Sequence, residues 1–465
     1  MPRVAGSIAR ITFATVGFAV FLLVVALGYW LLPRRLRLWW LFGASLLFYA
    51  TWNIGYVPGF LILIGANYLL GLAAAGRHAK AATITAVVLD LIILGVFKYL
   101  DFALDGSASL ITAITGESVE WGGLSLLLPL AISFVTFTLI AYVVDVYRGQ
   151  EPERDPLRFA LFIAFFPRVL AGPIMRGQQF LPQTRFRRGF SLPLLHMAIP
   201  LLVTGLFKKS MADQLGPIVR DGFADAGSFS SLALLAIATA WTFQLYLDFA
   251  GYTDMARGSA RLLGFGMPRN FDWPYRALSM ADFWRHWHMT LGAWLRDYLY
   301  FPLGGSRRGD IRTYVNLMIT MTLAGMWHGA GLGFAVWGVF QGIGLSVNRW
   351  WRRLPSHPVL PVVLSWAITF GFVVLARVPF VAPDLRAAGE FYARMLVPHE
   401  GAMPSLTLVL ALTVLIVGQW TGWDRLARRL APRRSARRWL AYGVALAVAI
   451  VILPSGVPDF IYQQF

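Results

Sequence analysis

The chain has 465 residues, of which 57% are hydrophobic and only 14% charged; 41 Lys and Arg against 23 Asp and Glu give a formal net charge of +18. Soluble domains carry about 25% charged residues, so composition excludes an ordinary soluble fold, and recurrent apolar runs of membrane-spanning length place the chain in a bilayer. The absence of cysteine removes disulfides, thiolate metal sites and a cysteine nucleophile. The positive charge does not indicate nucleic acid. It sits in short clusters between apolar runs, such as Arg34-Arg35-Leu36-Arg37, Lys208-Lys209 and Arg349 with Arg352 and Arg353, the pattern of cytoplasmic loops facing anionic membrane lipids.

In chain order, spans are predicted at 11–32, 38–52, 59–76, 82–100, 124–145, 192–207, 230–250, 314–346, 358–381, 405–420 and 438–453. The first is too long for a secretory h-region and is followed by Pro33-Arg34-Arg35, so it reads as an uncleaved helix. Placing Arg34–Arg37 in the cytoplasm puts the N-terminus outside. The Arg77–Lys80 loop, the acidic 101–122 loop and Arg148 then alternate sides. The stretch 314–346 is long for one crossing and holds Gly325, Gly329, Gly331 and Gly333, which predicts a break or a tilt. Segments 157–175 and 283–302 are amphipathic and read as re-entrant or interfacial. No soluble domain is apparent, so 1–465 reads as one integral membrane domain. The aromatic and charged block 253–313 is where chemistry is expected.

Four groups carry the chemistry. His328, in Met326-Trp327-His328-Gly329-Ala330, lies within an apolar run. A ring that has lost its hydration stays neutral, the state in which it can take a proton from a hydroxyl. The neighbouring glycines let a substrate or another backbone approach it closely. The alternative is a structural histidine bonded to a neighbouring helix. In Asp282–Tyr300, helical spacing places Trp284, Trp287, Leu291 and Trp294 near one face with His288 beside it. His288 either orients a substrate or simply faces water at the interface. His286 has the weaker case beside Arg285, and two histidines at i and i+2 do not share a helix face, so no metal site is expected. Asp248, Tyr252 and Asp254 close an apolar span. Their carboxylates need partners, for which Arg257, Arg261, Arg285 and Arg296 are available, in a structural ion network or along a substrate path. Phe166–Arg176, with two prolines and a glycine, predicts an irregular element lining a cavity.

Taken together, Leu128–Phe134, Asp145–Gly149, Phe166-Pro167 with Ala171–Ile174, Asp248–Asp254, Asn270-Phe271 with Pro274-Tyr275, Phe283–His288, Arg296–Gly305, Gly325–Gly329 and Phe460–Phe465 resemble the membrane-bound O-acyltransferase family, within it the bacterial alginate O-acetyltransferase-like branch. The core motifs run over 128–346. The resemblance implies an all-α polytopic fold, a ring of about 11 transmembrane helices with re-entrant pieces around a central tunnel. It implies transfer of an acyl group, acetyl in this branch, from a cytoplasmic thioester such as acyl-CoA to a hydroxyl of an exported polysaccharide, with no bound cofactor. A periplasmic acetyltransferase partner and the bacterial inner membrane follow from the same branch. By position, His328 and His288 take the family's catalytic places, and Trp327, Trp287, Asn270, Arg296, Asp297, Asp248, Asp254 and Tyr252 become substrate or tunnel candidates. Val135, Thr138 and Gln341 depart from the family pattern. The competing class is a polysaccharide transporter, against which stands the lack of matching halves; D-alanyl transfer to teichoic acid is the related alternative chemistry.

Overall fold

A computed structural model describes residues 12–119, 121, 128–170, 172–185, 189–356, 358–422 and 436–452. The Phe460–Phe465 motif and the Arg433-Arg434 pair lie outside the described residues. The regular secondary structure of the described residues is helical, with a single isolated bridge between Phe229 and Ala402 and no strand. Five helical stretches are long and apolar enough to cross a membrane: Ile54–Ala73, Ala79–Thr115, Leu192–Ala224, Ser231–Leu262 and Val362–Val381. Shorter apolar helices include Val16–Leu31, Ile132–Tyr147 and Leu406–Thr421. The protein is a multi-pass membrane protein. Its chain divides into two compact units, Met1–Leu202 with Thr253–Pro268, and Val203–Tyr252 with Arg269–Phe465.

The first unit opens with α1 (Val16–Leu31), whose Thr15 hydroxyl caps the free amide of Phe18 at 3.1 Å. It continues through α2 (Arg37–Ala50), α3 (Val57–Ala73), α4 (Ala79–Thr115), α5 (Ile132–Tyr147), α6 (Pro156–Ala164), α7 (Phe166–Val169) and α8 (Gly177–Arg185). The predicted acidic loop 101–122 is a correction, because α4 continues to Thr115 and ends at left-handed Gly116. Ser107 and Ser109 return their hydroxyls to the carbonyls of Ala103 and Asp105, which lets a polar-looking stretch stay helical. The irregular element at Phe166–Arg176 is present, and its described residues up to Met175 are buried. Phe166 sits among Phe21, Phe48 and Phe18 at ring separations of 5.1, 5.9 and 6.4 Å. Arg168 is buried, donating to Thr138 Oγ1 at 2.8 Å and to the carbonyls of Ile163 and Phe162. Thr138, which departs from the family pattern, thus serves as an acceptor for a buried guanidinium.

Two further predicted boundaries are corrected. The span at 192–207 continues as α9 (Leu192–Ala224), and the span at 230–250 continues as α10 (Ser231–Leu262). Lys208 and Lys209 are therefore helical rather than part of a basic loop, and Asp248 and Asp254 lie inside a helix rather than at its end. Charge alone suggests a boundary; pairing within the protein removes that pressure.

The second unit contains α11 (Met280–His286), α12 (Met289–Leu295), one π turn (Arg296–Tyr300), α13 (Asp310–His328), α14 (Leu332–Trp351), α15 (Val362–Ala376), α16 (Val378–Val381), α17 (Leu385–Leu396) and α18 (Leu406–Thr421). The long stretch 314–346 does break, at Gly329–Gly331, into the α13/α14 hairpin. Its helices meet main chain to main chain. A Cβ at Gly338 would strike the carbonyl of Met321 and come within 2.8 Å of Thr322 Cα, and one at Gly325 would strike the carbonyl of Phe334. The single amphipathic face expected over Trp284, Trp287, Leu291 and Trp294 is not formed. The helix is interrupted between α11 and α12, where Trp287 is extended and His288 adopts a left-handed conformation (φ 40°, ψ 53°).

Candidate active site

His328 is the last residue of α13, and the extended backbone of Gly329 turns the chain away from it. Gly329 is required by close approach: a side chain there would enter the ring of Phe334. The imidazole is 4% exposed. It is edged by Trp327, Trp337 and Phe380 at ring separations of 4.9, 5.2 and 5.4 Å. Three aromatic walls screen the ring from bulk water.

His288 is held differently. Its left-handed backbone is uncommon for a residue with a Cβ, and Asn270 supports it on both sides. The Asn270 carbonyl accepts from the Met289 amide at 2.9 Å, and Asn270 Oδ1 accepts from the Thr290 amide at 3.2 Å and from the Thr290 hydroxyl at 2.9 Å. His288 Nδ1 lies 3.2 Å from the same Oδ1. The Thr290 amide can only donate, so Oδ1 is an acceptor and His288 Nδ1 must carry its proton. The lone pair is therefore on Nε2, which is buried without a hydrogen-bond partner, as is Asn270 Nδ2. Two complementary polar atoms, an acceptor and a donor, thus have no protein partner among the described residues. Phe249 and Trp327 pack on the His288 ring at 4.7 and 6.5 Å, so Trp327 contacts both imidazoles.

Burial pushes His288 from the usual 6.5 down to about 3. The unfolded chain takes up this proton near pH 6.5 and the native one only near pH 3. Stability is therefore whole above about pH 6.5 and declines as pH falls toward 3, by at most about 1.4 kcal/mol per pH unit from this group. Thermal unfolding in detergent should show a smaller acid-induced drop in Tm for His288→Gln than for the wild-type protein between pH 7 and 4.5. Parallel Tm profiles would show that the ring is not desolvated.

The other sequence candidates divide. Asp248 joins Lys209, which bridges it at 2.8 Å to Asp213 at 2.6 Å. Lys209 and Asp248 are fully buried, and the ring of Tyr252 lies 5.7 Å from the ammonium. Neither Lys209 nor Asp213 was singled out by sequence reasoning, because Lys209 read as loop charge. Of the arginine partners expected for the two carboxylates, Asp254 takes Arg257 at 3.2 Å, in the other unit. Arg296 and Asp297 pair with each other at 2.7 Å. Gln341 is buried in α14 with Oε1 unsatisfied. The described residues bring together no group of three metal-ligating side chains.

A chamber of about 490 Å³ opens beside this site, lined by Trp284, Met289, Gly292, Thr320 and Met321, with Arg285 and Arg296. An adjoining chamber of about 400 Å³ shares Ala281, Tyr300, Leu317 and Leu345 with it and adds Arg349, Arg352 and Arg353. Trp284 contacts Trp337 at 6.2 Å, and Trp337 contacts His328. The arginine-lined chamber thus adjoins an apolar one, whose Trp284 wall packs on a residue that contacts His328. The sequence signal was present in the Arg349–Arg353 cluster, read there as facing lipid; Trp337 and Phe380 carried no signal beyond apolar character.

Residues 154–376 match the family model for the membrane-bound O-acyltransferases. The chain is 39% identical over 374 residues to the probable alginate O-acetylase AlgI of Azotobacter vinelandii, covering 79% of this chain and 74% of that protein. It is 37% identical to the peptidoglycan O-acetyltransferase of Helicobacter pylori, covering 79% of this chain and 76% of that one. The teichoic acid D-alanyltransferase of Bacillus subtilis is more distant, at 27% identity over 54% of this chain and 69% of its own length. The buried histidine pair, the helical membrane architecture and these similarities over most of the chain converge: this protein belongs to the membrane-bound O-acyltransferase family, in the branch of the alginate O-acetylases, and is an O-acyltransferase.

Proposed function

We propose that the protein moves an acetyl group from a cytoplasmic thioester, acetyl-CoA or a related carrier, to a hydroxyl of an exported or cell-surface polysaccharide, from the inner membrane of a bacterium and with a periplasmic acetyltransferase as partner. The observation that carries this reading is the pair of buried imidazoles that both contact Trp327, near a chamber that adjoins an arginine-lined one. His328 removes the hydroxyl proton as the oxygen attacks the thioester carbonyl. The C–O bond forms, the C–S bond breaks, and the thiolate leaves with the proton returned by the imidazolium. His288, through Nε2, and Asn270, through Nδ2, orient the reacting groups. Arg349, Arg352 and Arg353 suit the phosphates of the donor's handle, and the apolar chamber suits its pantetheine arm. The named activities of the AlgI and peptidoglycan relatives support acetyl as the group and a polysaccharide as the destination.

Similarity to D-alanyltransferases favours a second reading, in which the acyl group is D-alanyl. Envelope vesicles containing the protein, its polymer and its partner proteins separate the two. Labelled acetyl-CoA should leave alkali-labile label on the polymer. Label from a D-alanyl carrier thioester instead would select the second reading, and label from neither would reject both.

A further inference from the structure

Arg377 occupies the break between α15 and α16 and is 2% exposed. Nη1 donates to the carbonyl of Thr242 at 3.1 Å and to the hydroxyl of Tyr275, which itself donates to the Thr242 carbonyl at 2.7 Å. The guanidinium lies over the ring of Trp287, 4.1 Å from its centroid, with Tyr275 and Phe283 at 5.2 and 5.9 Å. Among the described residues it meets no carboxylate. A buried cation held only by carbonyl, hydroxyl and ring faces is costly. If packing were all that mattered, an apolar side chain would serve at lower cost. The planar fork offers what an apolar residue or a lysine lacks: it stacks flat on an indole while bonding sideways.

Trp287 immediately precedes His288, whose left-handed backbone persists only if its surroundings over-determine it. Asn270 holds the far side of that turn, and Arg377 holds the near side. Three residues beyond Arg377, Phe380 packs on the His328 ring at 5.4 Å. The carbonyl of Pro379 in the same turn is what a Cβ on Gly333, at the start of α14, would strike. One short turn therefore touches the supports of both imidazoles.

We propose that Arg377 is a positioning residue that fixes the spacing of the His288 and His328 rings, by clamping Trp287 and by carrying Phe380 against His328. The inference rests on the two-histidine site proposed above. Its test does not rest on acyl transfer. Full-length protein carrying ¹³Cε1-histidine in detergent reports each ring separately, and single replacements assign the seven signals. Arg377→Lys keeps the charge and loses the fork. The expected result is displacement of the His288 and His328 signals, with those of His78, His196 and His399 unmoved. In acetyl transfer, kcat should fall roughly 10- to 100-fold while KM stays within about twofold, the mark of misplaced reacting groups. Adding Trp287→Phe to Arg377→Lys should cost little more, because both cut the same link. Unmoved His288 and His328 signals, or fully additive losses, would overturn the clamp. If Arg377→Lys does not accumulate, Trp287→Phe alone, with Arg377 intact, should displace His288 and spare His328; an unmoved His288 signal again overturns the proposal. Displaced rings in Arg377→Lys, alongside a wild-type protein that transfers no acyl group, would reject the acyl-transfer chemistry and leave the clamp standing.

Discussion

His328→Ala should abolish O-acetylation while the protein still inserts and accumulates. The ring sits at the C-terminal end of α13, enclosed by Trp327, Trp337 and Phe380, so truncation removes the base and leaves a small apolar gap. General-base assistance is typically worth about 10²–10⁴-fold, and loss of at least that size is expected in labelled acetyl incorporation. Membrane content measured on the same samples separates lost chemistry from lost protein. His328→Gln, which refills much of the gap without restoring a base, should be as inactive as the alanine variant. Near-normal acetylation by either variant would remove His328 from the chemistry.

Lys209→Met should destabilise the protein by about 3–5 kcal/mol, the cost of removing one member of a buried ion cluster. Lys209 bridges Asp213 and Asp248 at 2.6 and 2.8 Å with all three side chains buried. Methionine fills the volume but leaves two carboxylates facing each other without their cation. A marked fall in thermal stability in detergent, or failure to accumulate, is expected. Adding Asp213→Asn and Asp248→Asn should restore much of the loss, since the uncompensated charge then goes too. A single variant as stable as the wild type would show that the cluster is solvated.

Membrane class, the order of the helices and the break in 314–346 were legible in the sequence, and His328 and His288 stood out there as candidates. They rest on signals that a linear reading resolves: apolar run length, glycine placement, and an ionisable ring in an apolar context. What was not legible depends on three-dimensional pairing. Lys209 looked like a loop residue because its two carboxylates lie one helical turn away and 39 residues away. The tryptophans of 284–294 suggested one continuous face because nothing local announces the left-handed turn at His288; Asn270, 18 residues earlier, holds it through side-chain hydrogen bonds. Phe380 and Arg377 looked like the tail of an ordinary span. The acidic 101–115 stretch looked like a loop because composition does not reveal that its serines bond back into their own helix.

The α13/α14 crossing has a consequence for how such enzymes diversify. Where Gly338 lies on the Met321 carbonyl and Gly325 on that of Phe334, no side chain mediates the contact, so there is nothing at the joint for substitution to resize by degrees. An added methyl would not trim the fit; it would force the two rods apart and carry His328 with them. A change of fit is therefore open to substitution at the chamber walls, where a new side chain alters the space without moving His328, and closed to it at this hinge.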